Sequence, residues 1–244
     1  MGMIAEDGAD GRPLYQRMKD DLVRRILSGE WRPGELVPSE VALAAAYEVS
    51  VGTARKAIDQ LAQSGLVDRR RGRGTTIATN RTPARPFRFL RFRTDDGRRT
   101  DQSLYLECTS SRATVTEARR LGVNRGTAVA RVLRRRTAPG GGPALLERIV
   151  LREDLCPGAG RLIAQTSPVS LSSFLDQNFH ILIVRVDEEI RAAVADAADA
   201  EHLDVALGTP VLEVDRTALD LGGRVIEFRR VHAAPGLHYA NSRS

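Results

Sequence analysis

The sequence has few cysteines and no long hydrophobic run. Its two cysteines, Cys108 and Cys156, lie far apart and form neither a metal-binding nor a redox spacing, so we expect a reduced, cytoplasmic protein. No apolar run approaches the roughly 20 residues that a membrane-spanning helix needs, so we expect no membrane partner. The N-terminal stretch MGMIAEDGAD is acidic and lacks the apolar centre of a secretory signal, and we expect residues 1–11 to be disordered.

Catalytic signatures are also missing. The sequence has no Gly-x-Ser-x-Gly elbow and no Rossmann or P-loop spacing, and its histidines, at positions 180, 202, 232 and 238, show no metal-ligand spacing. It therefore predicts no catalytic residue, no metal site and no cofactor. What it does contain is 42% hydrophobic and 28% charged residues over 244 positions, enough for two globular domains that each bury a core.

Positive charge is concentrated in the middle of the chain. The net charge is +6, but the excess lies over the arginine-rich residues 81–137, whereas residues 1–80 are nearly neutral and residues 138–244 are acidic. A basic chain is typical of proteins that bind polyanions such as nucleic acid. Because the excess falls mostly outside the helical N-terminal segment, net charge alone is weak support for DNA binding, and local motifs have to decide.

Residues 12–65 carry the periodicity of three helices. The first helix follows Pro13, and the second is short, about 39–46, with Ser39 as its N-cap. Ser50 caps the third helix, and Gly65 is its C-cap. The apolar positions expected in the core are Leu14, Met18, Leu22 and Ile26 on the first helix and Ala54, Ala57, Ile58 and Leu61 on the third.

A basic, glycine-rich segment, RRRGRG at 69–74, follows the third helix. Leu66-Val67 and Thr76-Ile77 flank it as two short strands. Three helices followed by such a hairpin form a winged helix-turn-helix, in which the third helix enters the major groove and the wing lies along the DNA backbone. A solvated hairpin edge is the plainer alternative. A nucleotide-binding loop is disfavoured because the segment follows a helix and matches no phosphate-loop spacing.

These residues resemble the N-terminal domain of the GntR family of bacterial transcription regulators. The shared elements are Pro13-Leu14-Tyr15, Gly-x-x-x-Pro-Gly at 29–34, Pro38-Ser39-Glu40, Thr53-x-Arg55-x-Ala57 and Gly72-x-Gly74-Thr75. The resemblance implies a double-stranded DNA operator as partner. The residues that it assigns to the DNA surface are Ser50, Thr53, Arg55, Arg71 and Gly72. We predict that Ser39, Gly52, Lys56, Arg69 and Arg73 also belong to this surface.

Two positions depart from the family pattern. Many members carry arginine after Pro-Ser-Glu and again after the capping serine, where this chain has Val41 and Val51. Losing two cationic contacts weakens phosphate anchoring and flattens the salt dependence of DNA binding. Gly52 likewise offers only backbone to DNA, so we expect an operator preference that differs from the family's common site.

The remainder of the chain contains an internal repeat at an offset of 82 residues. Residues 121–134 align with 203–216, and Glu147 aligns with Glu227 because the second turn is two residues shorter. Each copy has the pattern helix, strand, glycine-containing turn, strand. We expect the two hairpins to merge into one antiparallel sheet with helices covering one face. Between and before the copies, residues 170–179 predict a helix, and residues 180–190 and 87–93 predict strands.

The first hairpin carries a candidate anion site. Strand alternation places Arg134 and Arg136 on one face, and two guanidinium groups together suit a carboxylate or phosphate because each can donate two hydrogen bonds. Arg216 is the repeat partner of Arg134. The plainer alternative, which spacing alone leaves open, is that these arginines pair with Glu147 and Glu227 across the sheet.

The second half resembles the UTRA ligand-binding domain, which accompanies the GntR helix-turn-helix in the HutC-like subfamily and is similar in fold to chorismate lyase. The matching elements are the Arg-x-Arg at 134–136, Pro143, Gly208-Thr209-Pro210 and Glu227. The resemblance implies a small anionic metabolite as effector. The residues that it assigns to the effector are Arg134, Arg136, Glu147, Ser170, Ser172, Glu227 and Phe228, the last standing where many members have tyrosine. Arg216 joins this predicted site as the repeat partner of Arg134.

Together these features predict an α+β protein with a disordered N-terminus (1–11), a winged helix-turn-helix domain (12–77), a linker (78–86) and a UTRA-like effector-binding domain with an antiparallel sheet (87–240). The expected function is that of a metabolite-responsive transcription repressor, which binds a palindromic operator as a homodimer and is released by the effector. A chorismate-lyase-like enzyme is one alternative. A non-specific DNA binder with a degenerate effector pocket is another.

Overall fold

The computed structural model describes residues 12–32, 34–63, 65–70, 72, 74–78, 89–220 and 222–240. The chain divides into two compact units, Met1–Thr79 and Asn80–Ser244, and each is described by itself. The expected disordered N-terminus and most of the expected linker lie outside the described residues. Among the helices of the described part, none combines the length and apolarity that crossing a bilayer requires.

The first unit consists of three helices and a small antiparallel sheet with strand order β1-β3-β2. Pro13 precedes the first helix, a position at which its fixed φ suits helix initiation. The second and third helices meet in a tight turn at residues 47–50. The elements are α1 (Leu14–Leu27), β1 (Leu36–Val37), α2 (Glu40–Ala46), α3 (Val51–Gln63), β2 (Val67–Arg70) and β3 (Gly74–Ile77).

The core of the first unit is the apolar face predicted from periodicity. Met18 and Leu22 of α1 and Ala54 and Ala57 of α3 are fully buried. Leu14 is an exception, because the first residue of α1 is 50% exposed and the buried face begins one turn later. This arrangement of three helices with a β2–β3 hairpin is the predicted winged helix-turn-helix, to which the structure adds β1, paired with β3.

The second unit is built on a six-stranded antiparallel sheet with strand order β5-β6-β7-β10-β9-β8, and β4 and β11 form a separate two-stranded sheet. Its elements are β4 (Phe92–Thr94), β5 (Gln102–Arg112), α4 (Val115–Leu121), β6 (Ala128–Thr137), β7 (Ala144–Arg152), α5 (Ala159–Thr166), α6 (Leu171–Phe179), β8 (Ile183–Val194), α7 (Ala197–Leu203), β9 (Pro210–Asp220), β10 (Val225–Ala233) and β11 (Leu237–Tyr239).

The sheet order confirms that the two repeats merge into one sheet. The hairpins β6–β7 and β9–β10 meet at the centre, where β7 pairs with β10. Each repeat is longer than the sequence match, because β5 and α4 precede the first hairpin as β8 and α7 precede the second. Each repeat therefore consists of a strand, a helix and a hairpin. The two repeats are related by a pseudo-twofold axis between β7 and β10.

The prediction that helices cover one face of the sheet is wrong. Ile149 and Leu151 of β7 pack with α5 and α6 in one apolar cluster. Leu146 and Val150 alternate with them and pack against α7 and α4. Since successive strand residues point to opposite faces, helices cover both faces. We call the α5–α6 side the front face and the α4–α7 side the back face.

Two of the predicted strand limits also need correction. The strand expected at 87–93 is limited to β4, which begins at Phe92 and pairs with β11 of the same chain, whereas Phe89 and Leu90 are not in a strand. The long strand expected at 180–190 runs from Ile183 to Val194. It therefore extends four residues beyond the predicted end.

Candidate functional site

The start of α3 in the first unit is organised by two serine caps. The Ser50 Oγ accepts a hydrogen bond from the Thr53 backbone N–H at 3.1 Å and lies 2.9 Å from the Thr53 Oγ1. The Ser39 Oγ accepts from the Ala42 N–H at 3.1 Å and caps α2. Each serine thus caps the N-terminus of a helix, where free backbone N–H groups favour anions such as phosphate. Gly52, like Ser50, is exposed on this surface.

Cations predicted to contact DNA converge on an acidic residue of α2. The Arg55 Nε donates to the Glu40 Oε2 at 2.9 Å, and Arg69 forms ion pairs with Glu40 and Asp59. The Lys56 Nζ lies 4.0 Å from the centroid of the Tyr15 ring. The structure thus brings Arg55 and Arg69 together through Glu40, whose role in holding them was not predicted. The matching Pro-Ser-Glu motif could have drawn attention to it.

The wing is described only in part. Gly72 is exposed and has φ +76°, a conformation that favours glycine in the turn. Arg71 and Arg73 lie outside the described residues, so their assignment to DNA stays a prediction. Val41 and Val51, which stand where family members carry arginine, are 66% and 38% exposed.

A second candidate site, here called the charged pocket, lies on the front face of the second unit. It is an open cleft whose empty volume, with open solvent included, is about 500 Å³. Four arginines and one glutamate come from the sheet, and two serines come from the start of α6. The polar residues of its lining are Arg134, Arg136, Arg216, Arg229, Glu227, Ser170 and Ser172.

Four buried side chains form a continuous ion-pair network across three adjacent strands, β6, β7 and β10. The Arg134 Nε donates to the Glu147 Oε2 at 2.5 Å, and the Arg229 Nη1 donates to the Glu147 Oε1 at 2.7 Å. The Arg229 Nε donates to the Glu227 Oε1, also at 2.7 Å. We call Arg134, Glu147, Arg229 and Glu227 the buried quartet, and it contains equal numbers of positive and negative charges.

The quartet changes the ionisation of its members. Burial alone would raise the pKa of Glu147, but the charges of Arg134 and Arg229 hold that pKa well below its usual range. Burial opposes the charge on Arg229, yet Glu147 and Glu227 raise its pKa above the ordinary value. Tyr105 supports the network, since its hydroxyl accepts from the Arg134 Nη1 at 3.0 Å and donates to the Pro168 carbonyl at 2.7 Å.

Arg136 adds a further buried cation beside the quartet. It is 4% exposed, and its Nε donates to the Thr100 carbonyl at 2.9 Å. Burial, followed by repulsion from Arg134, lowers the pKa of Arg136 to about 9. The Ser170 Oγ lies 3.1 Å from the Ser172 Oγ and caps α6. These groups together offer positive charge and hydroxyl donors to an anion.

The structure partly supports the plainer alternative for the arginines. Arg134 does pair with Glu147, and the Arg216 Nε donates to Glu188 of β8 at 2.8 Å. Glu147 lies behind the pocket lining and acts on it through Arg134 and Arg229. The charged side chains that line the pocket are four arginines and one glutamate, so positive charge predominates on its surface.

The assignment of Phe228 to the effector site is wrong. Glu227 lines the pocket, but its neighbour in the strand points to the back face, where Phe228 packs against the α4 cluster and beneath the Arg120 guanidinium. The same alternation places Arg229 in the pocket, which sequence reasoning missed. Counting two residues on from Glu227 could have identified it.

A separate polar cluster lies on the back face. The His232 Nδ1 is 2.6 Å from the Asp199 Oδ2, and its Nε2 is 2.9 Å from the Glu213 Oε2. Asp196, Asp199 and His232 offer atoms that could hold a metal ion, a grouping that sequence spacing does not reveal. The Arg148 Nη2 already contacts both aspartates, so the cluster is better described as a partly buried ion-pair network.

A winged helix-turn-helix unit, followed in the same chain by an α+β unit with a charged pocket, defines a class of protein, the two-domain transcription regulators. Comparison with family models agrees: residues 14–77 match the gntR family of bacterial regulatory proteins, and residues 98–235 match the UTRA domain. The chain belongs to the GntR family of transcription regulators, in its HutC-like group with a C-terminal UTRA domain.

Named relatives are regulators, not enzymes. The transcriptional repressor NagR of Bacillus subtilis is 26% identical over 220 residues, 89% of each chain. The regulator GgaR of Escherichia coli is 27% identical over 238 residues, 94% of this chain and 90% of its own. The ligand-binding domain of a GntR-family regulator from Bordetella bronchiseptica aligns with a TM-score of 0.58 and 29% identity, covering 64% of this chain and 98% of its own. The enzyme alternative is therefore set aside.

Proposed function

We propose that this protein is a metabolite-responsive repressor that binds a palindromic operator as a homodimer and leaves it when a small anion occupies the charged pocket. Residues 12–77 are the DNA-binding domain, residues 78–86 the linker, and residues 87–240 the effector-binding domain. As a regulator of transcription it acts in the cytoplasm. The observation that carries the proposal is the excess of buried positive charge in the pocket, within a chain of GntR and UTRA architecture.

The DNA-binding part rests on the surface around α3. Ser50 and Thr53 lie at its first turn, and the exposed Arg55 and Lys56 follow. In helix-turn-helix proteins the N-terminal residues of the second helix of the motif approach base edges, while neighbouring cations bind phosphates. Glu40 holds Arg55 and Arg69 in place before DNA arrives, and phosphate contacts then compete with these partly exposed ion pairs, which are individually weak.

The effector part rests on Arg136 and the start of α6. A buried cation whose pKa is lowered by burial and by its neighbour Arg134 carries an unfavourable free energy that a bound anion relieves. The Ser170 and Ser172 hydroxyls and the positive end of α6 lie in the same pocket and favour the same charge. A carboxylate or phosphate is therefore the chemistry that the pocket recognises.

The repressor, dimer and operator symmetry follow the family pattern. NagR, to which this chain is similar along most of its length, is named as a repressor. Helix-turn-helix dimers bind two half-sites one helical turn apart, so a palindrome mirrors the two-fold symmetry of the protein. Effector binding is expected to alter DNA affinity through the linker, and by thermodynamic linkage DNA must alter effector affinity by the same factor.

The proposal is tested by selecting duplexes from a random pool with the full chain, and then titrating the selected complex with a panel of sugar phosphates, phosphonates and carboxylates. We expect enrichment of a palindrome and release by one class of anion. Release of the complex by no anion in the panel would contradict the effector part. Failure to enrich any sequence would instead favour a non-specific DNA binder with a degenerate pocket.

A further inference from the structure

Arg229 occupies a position that the internal repeat marks as apolar. Since Glu227 corresponds to Glu147, two residues further on Arg229 corresponds to Ile149. Ile149 is 1% exposed and packs in the front-face core with α5 and α6. Arg229 is 6% exposed, so a charged side chain is buried where the other copy buries a hydrocarbon. A buried cation is unfavourable unless its surroundings compensate it, and here the compensation comes from two carboxylates.

The two carboxylates are the repeat-related glutamates. Arg229 donates to Glu147 at 2.7 Å and to Glu227 at 2.7 Å, and it approaches Glu227 again through its Nη2 at 2.6 Å. Without Arg229, the two acids would share Arg134 as their nearest cation within the quartet. The protein thus supplies, inside its own pocket, the positive charge that a cationic ligand group would otherwise provide.

The charged residues that line the pocket outside the quartet are positive. Outside the quartet the pocket has Arg136, and Arg216 paired with Glu188 at 2.7 Å. The charged residues that line the pocket outside the quartet are therefore both arginines, and Arg136 lies on the side of Ser170 and Ser172. Arg229 already occupies the position beside Glu147 and Glu227 that the ammonium or guanidinium group of a ligand would need. Such a group would therefore contact the Arg229 guanidinium, and like charges in contact are strongly unfavourable.

We propose that Arg229 is a built-in counter-ion that determines the effector class: the pocket accepts a small phosphorylated or carboxylated anion and rejects zwitterions and cations. The proposal rests on the anionic effector proposed above and narrows it. Arg229 acts as a specificity-determining residue, because its charge satisfies both glutamates and leaves no carboxylate open to a positively charged ligand group.

The direct test compares ethyl phosphate with phosphoethanolamine, which differ by one ammonium group, by calorimetric titration of the full chain. The wild type is expected to bind ethyl phosphate about tenfold more tightly, and Arg229→Ala to lose or reverse this preference. Equal affinities of the wild type for the two compounds, or an unchanged preference in Arg229→Ala, would overturn the proposal.

A second arm tests the counter-ion role without any effector. Thermal unfolding of Arg229→Ala is followed with methylguanidinium chloride and with sodium chloride at equal ionic strength. We expect methylguanidinium to raise the midpoint of this variant selectively, because it refills the site between Glu147 and Glu227. Arg230→Ala is the matched control, since Arg230 points to the back face and pairs with Asp215. Equal effects of methylguanidinium on both variants would overturn the counter-ion role.

The two arms separate the failure of this inference from failure of the proposed function. If the wild type binds neither phosphate compound, the anionic effector and the effector class both fail, while methylguanidinium still reports on the counter-ion. If Arg229→Ala shows no cooperative unfolding in either salt, Arg229→Lys replaces it in the calorimetric titration. A retained preference of Arg229→Lys for ethyl phosphate supports the role of charge at this position. Loss of the preference overturns the inference.

Discussion

At the scale of single residues, the DNA surface differs from the family pattern at Val51. This side chain is the first residue of α3 and is 38% exposed, whereas many relatives place arginine there. We predict that Val51→Arg strengthens binding to the selected duplex and steepens the slope of log K against log salt by about 0.9, one phosphate contact. Val194→Arg adds the same charge to an exposed site in the second unit and should leave the slope unchanged. Equal slopes for both variants would contradict this view.

Arg136 and Arg134 are expected to respond differently to removal. Arg134→Ala leaves Glu147 with one cation fewer in a buried site, which should cost about 3–5 kcal/mol of unfolding free energy. Arg136→Met removes a buried cation with an unfavourable pKa shift, so it should cost far less unfolding free energy. We also expect sulfate to stabilise the wild type by binding in the charged pocket, and Arg136→Met to abolish this effect. Denaturant unfolding with and without sulfate measures both effects. Undiminished sulfate stabilisation of Arg136→Met would count against the proposed anion site.

Strand alternation and the internal repeat predicted the pocket residues to which they were applied. Arg134 and Arg136 share the pocket as predicted from their spacing, and Arg216 lies in it as their repeat partner. Phe228 was assigned from family resemblance against the alternation rule, since it adjoins Glu227. The pairing of Arg55 with Glu40 could not be predicted from spacing, because it depends on how α2 and α3 pack.

At the scale of elements, α4 shows how a cap couples helix stability to pH. Thr114 and Glu117 form a capping box, and Glu117 also accepts two hydrogen bonds at 2.7 Å from Arg131 of β6. The hydrogen bonds from Arg131, and then those from Thr114, lower the pKa of Glu117 to about 2 against the effect of burial. A lowered carboxyl pKa contributes stability that is complete above the unfolded value and is lost as pH falls.

We therefore predict that Glu117→Gln lowers the unfolding free energy at pH 7 by about 2 kcal/mol. The variant should also lose part of the decline in stability that the wild type shows between pH 4.5 and 2. Urea unfolding across this pH range is the measurement. Glu201→Gln, at a carboxylate that is 73% exposed, serves as control and should change neither quantity. If the unfolding free energy of Glu117→Gln changed with pH in parallel with that of the wild type, the Glu117 carboxylate would not contribute to the pH dependence of stability.

Elements with strong local signals were predicted well, and those defined by packing were not. The caps at Ser39 and Ser50, together with the repeat, located helices and hairpins within a few residues. The helix α5 was missed because its N-cap is Gly158 in a left-handed conformation, without a side-chain hydrogen bond. The strand β5 was missed because its burial alternates irregularly along an edge of the sheet, where packing constrains the sequence weakly.

At the scale of the whole molecule, the proposed function requires that effector binding to the second unit changes DNA binding by the first. We predict that Arg55→Ala weakens binding to the selected duplex and leaves affinity for the anion unchanged, whereas Arg136→Met does the reverse. In the wild type the anion should weaken DNA binding by about 5–150-fold, and DNA should weaken anion binding by the same factor. Fluorescence anisotropy and calorimetry measure the two sides. A factor of one, meaning that the anion does not change DNA affinity, would show that the two sites are not coupled.

The central claim is sequence-specific binding of DNA by a GntR-type regulator. The measurement that tests it most directly is the affinity for the selected duplex relative to a shuffled duplex of the same composition, across a series of salt concentrations. The account predicts a preference of about 10³ or more for the selected duplex at physiological salt. Equal affinities for both duplexes, falling together as salt increases, would contradict it.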